Sequence, residues 1–290
     1  MYSTTHMHTT IHHLLLAAAL FSTAVCIAAE TKTPPPAPAP KVDKADVNGF
    51  KKIIAAPEKP AAVKVDIYRG DGAPDVAAED VKVRVDSIPG ATVRMLTAAE
   101  VGTVDLKAFD VVVFPGGGAR TQSKAIGEKG RNNVREYVRG GGGYVGICAG
   151  AYLACSNRDW NLGLLNAGWI GPETNRGFGY LEMELTPEGR GLLGDVQSKF
   201  KVRYNNGPVI KPGASTELPA YTTLSLFRTE VSANGSAVGA MVNMPAQAIS
   251  TFGKGRVFIS SPHPESTADL EHMLPRCILW AAGKSNSPTP

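Results

Sequence analysis

Histidine is scarce in the part of this chain that can fold. Of six histidines in 290 residues, His6, His8, His12 and His13 crowd the extreme N-terminus, which leaves His263 and His272. A zinc site therefore has almost no candidates, none shows ligand spacing, and no metal or other cofactor is expected. Cysteine is nearly as sparse: of four, Cys26 sits in the leading segment, leaving Cys148, Cys155 and Cys277. Three thiols cannot build a disulfide framework. At most one bridge forms, with Cys155 to Cys277 the conceivable pairing, and at least one thiol stays free. The net charge of +4 comes without a dense basic cluster, so nucleic acid is not an expected partner.

What the chain does contain divides it into four parts. Residues 1–29 read as a secretory signal peptide. Residues 11 to 29 carry no Asp, Glu, Lys or Arg, the apolar part is short for a bilayer span, and it ends in small residues at Ala28-Ala29. The leader's positive region is weak, supplied by histidines and the amino terminus. Valine before Cys26 is a poor match to a lipoprotein signal, so a secreted or periplasmic protein with no membrane span after cleavage is expected. Residues 30–61 form a Pro/Ala-rich linker that cannot bury a core. Residues 62–283 form the folded domain, and 284–290 a disordered tail.

Within the domain, Val63 to Tyr68 and Val81 to Val85 alternate like strands. Leu96 to Glu100 starts a short helix. Phe109 to Phe114 is a continuous apolar strand of the kind buried on both faces of a parallel sheet, and it runs into Pro115-Gly116-Gly117-Gly118. Asn132 to Arg139 has helical spacing, and Tyr144 to Ile147 resumes as strand. This succession predicts a βαβ crossover, with ligands bound outside the carboxyl ends of the strands. Further strands are expected at 181–185, 200–204 and 238–242. A hairpin follows at 248–260, then a helix from Ser266 to Ala282 that Pro275 kinks.

The stretch Gly143-Tyr144-Val145-Gly146-Ile147-Cys148-Ala149-Gly150-Ala151-Tyr152 reads as a strand-turn-helix elbow with a nucleophile at its tip. Gly146 and Gly150 suit such a turn, because its tight geometry admits only small neighbours. A nucleophilic cysteine needs a base or cation beside it, and the base needs an orienting partner. His263 lies just past a strand end in Ser261-Pro262-His263-Pro264-Glu265, with Glu265 two residues on, on the same side of an extended segment. Taken alone, His263 reads more readily as a loop histidine bonded to its surroundings, and His272 suits a surface or packing role in a helix. Gly116, Gly117 and Gly118, with the Ala149 amide, could face an oxyanion.

Phe-Pro-Gly-Gly-Gly, Gly-Ile-Cys-Ala-Gly-Ala-Tyr and Ser-Pro-His-Pro-Glu, in that order, resemble the class I glutamine amidotransferase superfamily. More narrowly, with Tyr204-Asn205-Asn206-Gly207-Pro208, they resemble the biotin-protein ligase N-terminal domain family. The resemblance implies an α/β fold: a flavodoxin-like three-layer sandwich with a mainly parallel central sheet and antiparallel additions. It implies Cys148 as nucleophile, His263 as base and acid, and Glu265 as orienter. Glutaminases of the superfamily carry glutamine where this chain has Tyr152, which argues against hydrolysis of free glutamine. No ligase catalytic domain follows, so biotin ligation is not implied. The expectation is an exported cysteine hydrolase cleaving an amide or related acyl bond of a small molecule or peptide. The alternative is a non-catalytic binding module on the same scaffold. Protease and deglycase relatives place histidine directly after the cysteine, where this chain has Ala149.

Overall fold

The core of the chain is a nine-stranded mixed sheet. The computed structural model describes residues 62–171, 176–194 and 196–285, so the expected signal peptide and the whole linker lie outside the described residues. In chain order the elements are β1 (Lys64–Tyr68), α1 (Asp75–Asp86), β2 (Thr92–Leu96), α2 (Ala98–Val101), β3 (Val111–Phe114), α3 (Ala119–Arg139) and β4 (Gly143–Ile147). Then come α4 (Ala149–Ala154), β5 (Ala167–Trp169), β6 (Phe178–Leu185), α5 (Pro187–Leu193), β7 (Phe200–Asn205) and β8 (Ile210–Pro212). The last are β9 (Thr222–Phe227), β10 (Pro245–Phe252), β11 (Gly255–Ser260) and α6 (Met273–Ala281).

Strands β2, β1, β3, β4 and β11 are parallel, and β10, β9, β6 and β7 continue the sheet antiparallel. The parallel strands β3 and β4 are buried along their whole length, as strands covered on both faces must be. One hydrophobic cluster joins α1, α5 and α6 to one face, and a second joins α3 and α4 to the other. This is the expected three-layer α/β sandwich. Among the described residues, no helix is long and apolar enough to cross a membrane.

Several local expectations change. Residues 81 to 85 belong to α1, not to a strand: Ala78, Val81 and Val85 are buried at helical spacing, while Val83 is 57% exposed. The alternation of valines with charged residues masked that period. Residues 238–242 form turns rather than a strand, because Gly239 and Asn243 take positive φ and Val238 faces solvent. The C-terminal helix starts only at Met273. A 3-10 turn at Pro264–Ser266 and positive φ at Asp269 delay it, and Pro275, three residues into the helix, sits where no intrahelical N–H is needed. Lys284, placed in the tail by sequence, is bound to Asp110 through its Nζ at 2.8 Å.

Cys148, Cys155 and Cys277 are all free and buried. Cys155 packs in one hydrophobic cluster and Cys277 in the other, so the sheet separates the two sulfurs and no bridge joins them.

One of the tight backbone contacts in the fold supports the elbow. A Cβ on Gly150 would stand 2.0 Å from the Phe114 carbonyl oxygen, and one on Gly146 would stand 2.5 Å from the Gly150 carbonyl. Both are backbone contacts that no side-chain rotation relieves. Replacing Gly150 with alanine is expected to destabilise the protein by more than about 2 kcal/mol, beyond ordinary overpacking. Thermal unfolding of Gly150→Ala against wild type measures this, and an unchanged midpoint would refute the contact.

Candidate active site

Three loops leave adjacent parallel strands at the same end of the sheet. The register pairs Phe114 with Gly146 and Ile147 with Ser260, so residues 115–118, Cys148 and the segment 261–265 emerge side by side. That is where an open α/β sheet binds ligands.

Cys148 stands between β4 and α4 with φ 50° and ψ −97°, a conformation that non-glycine residues rarely adopt. Its N–H donates to the Ser260 carbonyl at 2.8 Å, which ties the elbow to β11. Its thiol donates to the Asn205 carbonyl at 3.3 Å. Because β7 lies last in hydrogen-bonding order, this contact requires the antiparallel half of the sheet to fold back over the site. A second contact agrees: the His263 N–H donates to the Arg203 carbonyl at 2.8 Å. A Cβ on Gly207 would stand 2.1 Å from the Ser261 carbonyl oxygen, so the Tyr204–Pro208 segment lies directly against the histidine loop.

His263 and Glu265 form a buried pair, Nδ1 to Oε1 at 2.7 Å. They meet across a 3-10 turn, not along an extended segment. The turn between them brings both side chains to the same point. Burial alone lowers the imidazole pKa, but the Glu265 charge and contact with the Cys148 thiol outweigh it and raise the value to about 10. With Nδ1 committed to Glu265, Nε2 is buried and makes no well-formed hydrogen bond in the resting geometry. The thiol, turned toward Asn205, leaves it unsatisfied.

Gly116 is pressed between these groups. A Cβ there would stand 2.8 Å from His263 Cε1 and 3.6 Å from Cys148 Cβ. Gly117 has φ 136° and passes so close to Gly72 that a Cβ would meet its carbonyl oxygen at 2.0 Å. Gly118 departs from expectation. Its N–H donates to the Gly72 carbonyl at 2.7 Å, so it lines the pocket but is spent as an oxyanion donor. The N–H of Ala149, first in α4, has no acceptor within the helix.

These groups surround a cavity of about 470 Å³ lined by Cys148, His263, Glu265, Tyr152 and all three glycines. Tyr152 donates its hydroxyl to the Asn206 carbonyl at 3.1 Å and meets Trp169 edge-on, with ring centroids 5.0 Å apart. It forms a fixed wall. His272 lies elsewhere, at the start of α6. No group of three or more metal-ligating side chains occurs among the described residues.

Sequence reasoning missed the contribution of β7 and of α1. Asn205, singled out only as part of the Tyr204–Pro208 motif, and Arg203 reach the site because the sheet folds back. Asp80 and Arg84 would have been legible had α1 been read with a helical period.

Residues 106–174 match the family model described as biotin-protein ligase, N terminal, a segment that includes the elbow. Among solved structures, a glutamine amidotransferase from Thermotoga maritima is similar with a TM-score of 0.51 and 14% identity, over 77% of this chain and 99% of that one. The fold is glutamine amidotransferase-like. PurLQS from the same organism is similar at a TM-score of 0.50 and 16% identity, covering 78% of this chain and 98% of the other. A protein described as ThuA-like from Parabacteroides merdae reaches a TM-score of 0.55 at 15% identity, covering 79% and 93%. No curated protein matches the sequence significantly.

The raised imidazole pKa has a direct consequence for stability. A histidine whose folded value exceeds its unfolded value near 6.5 stabilises fully below that pH, and loses the contribution as pH rises toward about 10. The stability gap between wild type and His263→Gln, measured by denaturant unfolding, is therefore expected to shrink by about 1 kcal/mol or more between pH 6 and pH 10. A gap that widens with pH would contradict the assignment.

Proposed function

We propose that this protein is an exported cysteine hydrolase that cleaves an amide or related acyl bond with Cys148, His263 and Glu265. The reading is carried by one observation: the strained Cys148 faces the same cavity as a buried His263–Glu265 pair. The charge-free stretch 11–29 supports export.

The raised imidazole pKa favours imidazolium beside the sulfur, so His263 acts first as an acid. Rotation of the sulfur away from Asn205 would bring it under the substrate carbonyl. The thiolate attacks the carbonyl carbon, a C–S bond forms, and the π pair moves to oxygen. The unpaired amide of Ala149 and those of Gly116 and Gly117, which donate to no protein acceptor among the described residues, are the candidate donors to that oxyanion. The tetrahedral adduct collapses, the C–N bond breaks, and Nε2 gives its proton to the leaving amine. Water then attacks the thioester and yields a proton to Nε2, and the acid departs as the thiolate reforms. Glu265 holds Nδ1–H throughout and balances the imidazolium charge.

Tyr152 occupies the position where glutaminases carry glutamine, and its hydroxyl and ring are both engaged. The substrate proposed is accordingly not free glutamine. The Cys148 thiol bonded to Asn205 also favours a second reading, a binding module whose cysteine never reacts.

Alkylation separates the two. Iodoacetamide at pH 7, followed by peptide mass spectrometry, is expected to modify Cys148 at least about tenfold faster than in His263→Ala. Equal rates, no higher than a model thiol, would leave the binding module as the surviving reading. Gly116→Ala pushes a methyl against the imidazole and is expected to slow the same reaction about tenfold or more without unfolding the protein.

A further inference from the structure

One wall of the cavity is built by α1, whose N-cap Pro74 lies beside Gly117, and its register is fixed. Arg84 donates from Nε to the Glu265 backbone carbonyl at 2.8 Å. One helical turn before it stands Asp80, and one turn earlier again Val76 and Ala77, all on the face that lines the cavity. Anchoring Arg84 to the histidine loop therefore aims Asp80 into the pocket.

Asp80 is half-buried and makes no hydrogen bond and no ion pair among the described residues. The cations nearest it are otherwise engaged. Arg84 is bound to Glu265, and Arg203 donates from Nη1 to Ser266 Oγ at 3.1 Å. The imidazolium of His263 is held by Glu265. Burial and repulsion from the Glu265 carboxylate both raise the Asp80 pKa, and Arg203, Arg84 and His263 offset this only in part. An acid in this position weakens the fold at neutral pH. A group raised in the folded state makes the protein more stable when it is neutral.

Beside Asp80 the lining includes the apolar Pro74, Val76 and Ala77 and the ring of Tyr152, and Arg203, held by Ser266, lines the cavity too. One unpaired negative charge at the end of an apolar wall, in the same small cavity as a thiol, describes a receptor for a cation on a short hydrocarbon stem. We infer that the substrate is a small amide or acyl donor bearing an alkylammonium group, and that Asp80 is the specificity-determining residue that pairs with it. The inference rests on Cys148 being the reactive group of the pocket. A cavity of about 470 Å³ suits a small molecule rather than a folded chain.

Charged thiol reagents test it without knowledge of the substrate. In the full chain, Cys148 is modified with trimethylammonioethyl methanethiosulfonate, with the neutral methyl reagent and with the anionic sulfonatoethyl reagent, and rates are read at the Cys148 peptide. The thiolate attacks the reagent's sulfenyl sulfur and methanesulfinate leaves, so all three share one reaction. Asp80→Asn is expected to lower the cationic-to-neutral rate ratio about tenfold, with the neutral rate within about twofold of wild type. Asp80→Glu is expected to keep most of the ratio. The melting temperature of Asp80→Asn should equal or exceed that of wild type.

A cationic-to-neutral ratio unchanged by Asp80→Asn would overturn the inference. So would a wild-type ratio no higher than that of free cysteine, or one insensitive to added salt, and the salt series needs no variant at all. A slow neutral reaction in every form, unaffected by His263→Ala, would sink the hydrolase instead. The ratio would still report whether Asp80 selects cations.

Discussion

The elbow at Cys148 depends on a backbone-to-backbone approach, and the rest of the site is arranged around it. Helix α4 begins so near β3 that the Gly150 α-carbon leaves no room for a methyl below the Phe114 carbonyl. The cysteine at its head is held at φ 50°, a conformation costing about 1–2 kcal/mol in an L-residue. Its neighbours offset that cost. The Cys148 amide is bound to Ser260, the Tyr144 hydroxyl donates to the Gly150 carbonyl at 2.8 Å, and both lie in buried surroundings. A sulfur so held projects from the sheet end at a fixed height, level with the histidine that leaves the next strand.

Electrostatics then divide the pocket. Glu265 secures the imidazole from behind, and Arg84 secures the backbone of Glu265 from the side. Each positive group near the site is thus bonded to another part of the protein, while the Asp80 carboxylate has no such bond among the described residues. The Nε2 of His263 and the second carboxylate oxygen of Glu265 remain buried without hydrogen-bond partners. Unsatisfied polar atoms at this depth cost stability, and they coincide with the place where chemistry is proposed.

Of the parallel half, β1, β3, β4 and β11 were legible from sequence because their signals are local, whereas β2 was not read as a strand. The apolar run before Pro115, the glycines at 140–143 and the small residues around Cys148 each report their own backbone. His263 and Glu265 could be paired by spacing, although a 3-10 turn, not extended chain, unites them. The antiparallel half was harder. Strand β9 is rich in threonine, serine and leucine without clear turn signals at its ends, and Val238 to Val242 looked like strand yet turns through positive φ. In α1, β-branched valines alternating with charged residues imitated a strand, and that misreading hid Asp80. Long-range return of β7 to the site is a property of sheet curvature, which no window of sequence contains.

That return has a consequence beyond chemistry. Strand β7 is the last in the sheet, and an open strand edge is a template for pairing with another chain. Here the histidine loop covers it: the Arg203 carbonyl accepts from His263, and the Arg203 amide donates to Thr267 Oγ1 at 3.1 Å. The Asn205 carbonyl is occupied by the Cys148 thiol. The loop that carries the imidazole is at the same time a guard against edge-to-edge association, so any change that loosens it uncovers the β7 edge as well.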